Sequence, residues 1–95
     1  MPFKVFVDDN FHYQDASERY EQGIYTSYEA ATAVCMKIVD QFLAAAYQEG
    51  MSAADLYKRY LVFGEDPFVV PAPENATFSA SDYARQRCSE ICGGT

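Results

Sequence analysis

Basic residues are scarce in this chain. Seven Lys and Arg stand against fourteen Asp and Glu, which gives a net charge of −7 over 95 residues. The seven cations are scattered along the sequence, whereas nucleic-acid binding draws its affinity from clustered Lys and Arg. Anionic membrane surfaces attract the same kind of cluster. The composition therefore argues against nucleic acid and against an anionic membrane as partners.

Long apolar runs are also missing, since no stretch approaches the roughly 20 residues of a membrane span. No signal peptide precedes the first predicted strand. The three cysteines are an odd number in a small chain, which favours reduced thiols over a disulfide framework. We therefore expect a protein of the cytoplasm.

Catalytic signatures are few. Tryptophan is absent and histidine occurs once. The sequence has no phosphate-binding glycine loop and no dinucleotide fingerprint, and we predict no cofactor. The cysteines are interpreted as structural. Cys35 falls on the apolar side of a predicted helix, and Cys88 and Cys92 lack the two further ligands that a zinc site needs.

Aromatic residues, in contrast, are abundant: eight Tyr and seven Phe make up 16% of the chain. Large rings fill a small core efficiently, and surplus tyrosines suit contact surfaces. A hydrophobic fraction of 49% with 22% charged residues is typical of a globular protein. At this length we predict one domain over residues 1–95.

The longest uninterrupted pattern covers residues 26–50, where apolar residues recur at the spacing of a helix. Thr26 and Glu29 predict a capping box at its start, and Gly50 predicts a left-handed stop. A helix of this extent is roughly 34 Å long, which would span the whole domain. Its predicted buried stripe consists of Ala31, Val34, Cys35, Ile38, Phe42, Ala45 and Ala46.

Two strands are predicted before the long helix, at residues 3–7 and 19–25, and Gly23 is interpreted as a bulge. Residues 8–18 between them are interpreted as the loop of an irregular hairpin. Residues 68–70 are predicted to add a short edge strand, because the neighbouring prolines do not suit a central one.

Two shorter helices are predicted after the long one, each capped by a serine with an acid three residues on. They run from Ser52 to Gly64 and from Ser79 to the glycines at 93 and 94. The predicted fold class is α+β: a small antiparallel sheet of two to three strands, packed on a long central helix with two shorter helices, in the order β-β-α-α-(β)-α. The first of the two helices is predicted to bury Leu56, Tyr57, Tyr60 and Leu61.

The sharpest chemical cluster follows the first strand. Carboxylates and an imidazole this close could hold a divalent cation, with His12 as a general base. Tyr13, however, stands where a calcium loop requires glycine, and the set is incomplete, so no metal is predicted. The other interpretation is a solvated turn, in which Asp and Asn bond their own backbone. The candidate binding residues are Asp8, Asp9, Asn10, His12, Tyr13 and Arg19.

Two functions from different classes remain open. The first is a small acidic binding or regulatory module that acts through protein contacts, with a protein partner or a second copy of itself. The surplus of tyrosine and the strong negative charge favour it. The alternative is a small metal-dependent or acid–base enzyme centred on Asp8, Asp9 and His12.

Four runs of the sequence carry a resemblance: VFVDDNFHY, SERYEQG, FGEDPF and DYARQRC. Together they resemble a family of short bacterial proteins whose activity is uncharacterised, and VDDNFHY is the most specific part. The resemblance covers almost the whole chain. It implies a bacterial, cytoplasmic protein and carries no catalytic residues over to this sequence.

Overall fold

The structure, a computed structural model, describes residues 2–9, 19–71 and 78–93. In these residues it contains one three-stranded sheet and three helices, so the predicted α+β class and element order are confirmed. The elements are β1 (Phe3–Asp9), β2 (Tyr20–Tyr25), α1 (Tyr28–Ala46), α2 (Ala53–Phe63), β3 (Glu65–Val70) and α3 (Ala80–Ile91).

The sheet has the order β2-β1-β3, and β1 pairs antiparallel with both neighbours. On the β2 side the register shifts between Val5 and Phe6, which lie opposite Gly23 and Glu21. The extra residue in β2 makes a bulge beside Gly23, as the sequence predicted. The two neighbours of β1 thus make it the central strand.

Two strands are longer than predicted. Asp8 and Asp9 belong to β1 rather than to a loop, because their backbones pair with Asp66 and Glu65 of β3. For the same reason β3 begins at Glu65 instead of residue 68. Pro67 is tolerated within it because β3 is an edge strand.

The long helix α1 is shorter than predicted. Its N-cap is Ser27, whose Oγ accepts a hydrogen bond from Ala30 N at 3.1 Å, so the predicted capping box of Thr26 and Glu29 is wrong by one residue. The helix ends at Ala46, before Gly50, although Gly50 does have a positive φ of 87°. Nineteen residues give a length of about 28 Å, short of the molecule's longest extent of 44 Å.

The buried side of α1 is a stripe with a spacing of four. Its first half packs against the sheet and its second half against α2 and α3. Ala45 is exposed, contrary to prediction, whereas Val39 and Leu43, which the predicted stripe omits, are fully buried. The fully buried residues are Ala31, Cys35, Val39 and Leu43.

The two shorter helices begin as predicted. Ser52 Oγ accepts from Asp55 N at 3.1 Å, and Ser79 Oγ accepts from Asp82 N at 3.3 Å. The predicted buried face of α2 is wrong at Leu61, which is 47% exposed. Because α2 contacts the rest of the fold mainly on one side, only the stripe that contains Leu56 and Tyr60 is fully buried.

A close contact joins α2 to β3. Tyr60 Oη donates to the main-chain oxygen of Glu65 at 2.8 Å. Gly64 lies between them, and a Cβ there would stand 2.5 Å from Tyr60 Cδ1 and 2.7 Å from its carbonyl oxygen. The junction between α2 and β3 therefore needs glycine at position 64, because a side chain there would collide with Tyr60. Without a side chain at this position, the start of β3 can lie against the buried Tyr60 ring.

No helix in the described ranges is long and apolar enough to cross a membrane.

Candidate functional site

The two faces of the sheet have different surroundings. Val5 and Val7 are buried in the cluster that includes α1. Because successive side chains of a strand alternate between faces, their neighbours point to the opposite side, where Ile24 is 56% and Val70 is 43% exposed. We call this second side the open face. It consists of Lys4, Phe6, Asp8, Arg19, Glu21, Ile24, Asp66, Phe68 and Val70.

The strand register arranges the open face in three rows across the sheet. The first, the Lys4 row, contains Ile24, Lys4 and Val70. The second, the Phe6 row, contains Glu21, Phe6 and Phe68. The third, the Asp8 row, contains Asp8 and Asp66, and it is completed by Arg19, which directly precedes β2.

Arg19 is held by two groups of this face. Its Nε lies 2.6 Å from Asp8 Oδ1 and its Nη2 lies 3.1 Å from Asp8 Oδ2, which is a bidentate ion pair. Its Cζ also lies 5.1 Å from the centroid of the Phe68 ring, within the range of a cation–π contact. The hydrogen bonds and the charge of Asp8 raise the pKa of Arg19 above its ordinary value.

The middle of the open face is aromatic. The rings of Phe6 and Phe68 stack with centroids 5.8 Å apart and planes 25° apart. Toward β2, Lys4 Nζ lies 3.7 Å from Glu21 Oε1. This second ion pair is exposed, so its contribution to stability is small. The face thus has an apolar centre with charges at its periphery.

Asp66 is the one carboxylate of the open face without an ion pair among the described residues. It is half-buried, and its cross-strand neighbour is Asp8. Burial, and then the charge of Asp8, raise the pKa of Asp66. Arg19 forms its ion pair with Asp8 rather than with Asp66, so the Asp8 row carries one net negative charge.

The sequence-predicted site residues are only partly brought together. Asp8 and Arg19, both predicted, form the ion pair described above. The side chain of Asp9 and all of Asn10, His12 and Tyr13 lie outside the described residues. The enzyme centred on Asp8, Asp9 and His12 therefore stays a prediction, with the added fact that both oxygens of Asp8 already accept hydrogen bonds from Arg19.

Metal-ligating groups do not converge in the part of the chain that the structure describes. Within it, no set of three His, Cys, Asp or Glu residues could hold a metal ion. Asp8 and Asp66 are neighbours, but the third charged group beside them is the guanidinium of Arg19.

Sequence reasoning missed most of the open face. Phe6 and Phe68 fall in predicted strands and Asp66 falls outside them, and the sequence predicts no site role for any of the three. One signal was available, because Phe6 alternates with Lys4 and Asp8 along β1 and is the one apolar residue on that side. The pairing of β1 with β3, which places Phe68 beside Phe6, has no local signature.

A second polar cluster joins α1 to α3. Asp40 accepts hydrogen bonds from Tyr83 Oη and Arg87 Nε, both at 2.9 Å, and Arg87 Nη1 lies 2.6 Å from Glu90 Oε1. Burial, together with the bond to Asp40, raises the pKa of Tyr83 to about 12. Each of these side chains is bonded either to the other helix or within α3, so the packing of α1 against α3 explains the cluster.

Two of the three cysteines are buried, as a structural role requires. Cys35 and Cys88 are buried free thiols, and burial raises the pKa of each to about 11. Both stay protonated near neutral pH, which makes them poor nucleophiles. Cys92 is half-buried at the end of α3.

Comparison with protein-family models, curated proteins and solved structures gives no match for this chain. Function is therefore argued from the geometry of the open face, and the resemblance carried by the four sequence runs stays a prediction.

Proposed function

We propose that this chain is a binding module of the bacterial cytoplasm that acts through protein contacts, and that the open face is its contact surface. One observation carries the proposal. The sheet is covered by α1 on one face, while the other face presents a stacked Phe6–Phe68 pair beside exposed Ile24 and Val70.

The composition of this face matches a protein interface. Interfaces are enriched in aromatic residues and arginine at their centre, with a polar periphery. Phe6 and Phe68 form the aromatic centre, and Arg19 lies over Phe68. The remaining charges lie around this group. Rings that are already packed against each other lose little conformational entropy when a partner covers them.

The contacts within the face support the same function. The bidentate pair of Arg19 with Asp8 fixes the guanidinium above Phe68 before any partner arrives. A preorganised surface binds more tightly than one that must be ordered on contact. No observation in the described residues favours the alternative enzyme.

Site-specific photo-cross-linking in living cells of the source bacterium tests the proposal. Benzoylphenylalanine replaces Ile24 on the open face, and a control variant carries it at Gln86, an exposed position of α3. We expect an adduct of defined mass from position 24 that position 86 does not give. Addition of Val70→Glu to the first variant should abolish the adduct, because a charge then lies beside the aromatic centre.

Equal adducts from both positions, or none from position 24, would contradict a specific contact surface on the sheet. An adduct that survives Val70→Glu would also contradict it, provided that circular dichroism shows the variant to be folded.

A further inference from the structure

We propose that the open face binds a second copy of this chain, with the two sheets stacked face to face and the β1 strands antiparallel. The two-fold axis would cross the strands at the Phe6 row. This inference rests on the proposed function, because it names the partner of the same surface.

The row geometry makes such stacking self-complementary. Rows are about 6.7 Å apart, since each is two residues along the strand from the next. A two-fold axis that lies along the Phe6 row leaves this row facing its own copy. The same rotation puts the Lys4 row of one subunit over the Asp8 row of the other, twice in each dimer.

The charges favour this axis. The Lys4 row has one cation and no carboxylate, whereas the Asp8 row has two carboxylates and one guanidinium. Stacking the first on the second therefore places Lys4 opposite Asp8, and Asp66, the carboxylate that has no ion pair within its own described chain, lies on the neighbouring strand. An axis parallel to β1 would instead stack each row on its own copy. Rows of the same net charge would then oppose each other, although Arg19 would lie over Asp66.

The apolar groups fit the same arrangement. Phe6 and Phe68 of one copy would meet the same rings of the other, and ring pairs add to the stabilisation that burial gives. Glu21 of one subunit would face Glu21 of the other at the exposed β2 edge, which brings two like charges together. Each Glu21 already has Lys4 of its own chain at 3.7 Å, which offsets that repulsion.

The size of the face predicts a weak dimer. Three strands about 4.8 Å apart and three rows about 6.7 Å apart cover only a few hundred square ångströms. Stable interfaces bury about 800 Å² on each partner. We therefore expect reversible association that depends on concentration.

Sedimentation equilibrium of the full chain tests the inference over micromolar to millimolar concentrations. The mass should rise from monomer toward dimer. Val70→Glu should raise the dissociation constant about tenfold or more, because a carboxylate then faces the net-negative Asp8 row of the other copy. Gln86→Glu on α3 adds the same charge at an exposed site and should leave the constant unchanged.

Charge reversal tests the orientation. Lys4→Glu should weaken the dimer, because each copy then opposes a carboxylate to the Asp8 row. Adding Asp66→Lys should restore association, since the reversed charges again face each other. A double variant that dimerises no better than Lys4→Glu alone would overturn the antiparallel arrangement.

A second measurement needs no substitution. In a mixed sample of isotope-labelled and unlabelled chains, filtered NOEs should join Lys4 to the Asp8 row of the other subunit. Contacts between the two Lys4 side chains would overturn the arrangement even if Asp66→Lys does not fold.

A chain that stays monomeric at every concentration overturns self-association. If position 24 still cross-links specifically to a different protein, the binding module stands with another partner. If position 24 gives no specific adduct, both proposals fail.

Discussion

Arg19 and Asp8 meet through two hydrogen bonds, of 2.6 and 3.1 Å, across the end of the β1–β2 pair. The same guanidinium lies 5.1 Å from the centre of the Phe68 ring on β3. One side chain therefore contacts groups on both other strands. Through these contacts, Arg19 joins Asp8 of β1 and Phe68 of β3 in one continuous surface.

Replacing Arg19 should disturb this surface without unfolding the protein. Arg19→Gln removes the ion pair and uncovers one side of the Phe6–Phe68 stack, so the aromatic proton resonances of Phe68 should shift in NMR spectra. Lys37→Gln, at an exposed site of α1, removes the same charge and should leave those resonances in place. Unchanged Phe68 resonances in Arg19→Gln would contradict the contact.

Asp66 should oppose folding of the monomer when it is ionised. Its pKa is raised in the fold, so the stability contributed by the neutral acid is present below the unfolded pKa and is lost as the pH rises through the folded pKa. Asp66→Asn should therefore raise the urea midpoint at neutral pH. It should also weaken the proposed dimer, because the Asp8 row that faces Lys4 then loses its net negative charge.

Asp82→Asn is the matched control for that change. Asp82 is exposed, lies in the first turn of α3 and pairs with Arg85 at 3.6 Å. Its removal should leave the midpoint unchanged or lower it, because a carboxylate at a helix start is favourable. A midpoint that falls in Asp66→Asn would show that the carboxylate stabilises the monomer after all.

The start of α1 gives a test of the corrected cap. Ser27→Ala should lower the free energy of unfolding by about 1 kcal/mol, because Ala30 N loses its hydrogen-bond acceptor. Thr26→Ala, one residue earlier, should have little effect. Thermal unfolding of both variants distinguishes the two positions, and a larger loss at Thr26 would restore the capping box that the sequence predicted.

Gly64→Ala should destabilise the fold by roughly 1–3 kcal/mol, the range for an overpacked site. The new methyl group would meet the ring and the carbonyl oxygen of Tyr60. Gly50→Asn serves as the control, because asparagine tolerates a positive φ and no atom lies within 4 Å of a Cβ there. Equal stability of Gly64→Ala and the parent in urea would show that Tyr60 moves aside freely.

Local chemistry explains which parts of the fold were predictable. Ser52 and Ser79 each precede an acid at the third following residue, and both cap a helix as expected. The error at Thr26 has the same origin, since Thr26 and Ser27 are both good caps and only the first has glutamate at the third following position. Local rules could not decide between two adjacent candidates.

The candidate site was less predictable because its members come from separate segments. Asp8 and Arg19 were both singled out, but their ion pair depends on the shift of register opposite Gly23. The sequence predicts a short edge strand that includes Phe68 but not Asp66. Their place on the open face follows from the pairing of β3 with β1, which no local pattern near residue 66 specifies.

The amino-acid sequence by itself determined the elements of this protein, because caps, helical spacing and strand alternation act between residues close in the chain. Only the tertiary structure decided that Asp66 and Phe68 lie beside Asp8 and Phe6. That outcome depends on the register of two distant strands, and a slip of one residue would turn each of these side chains to the opposite face.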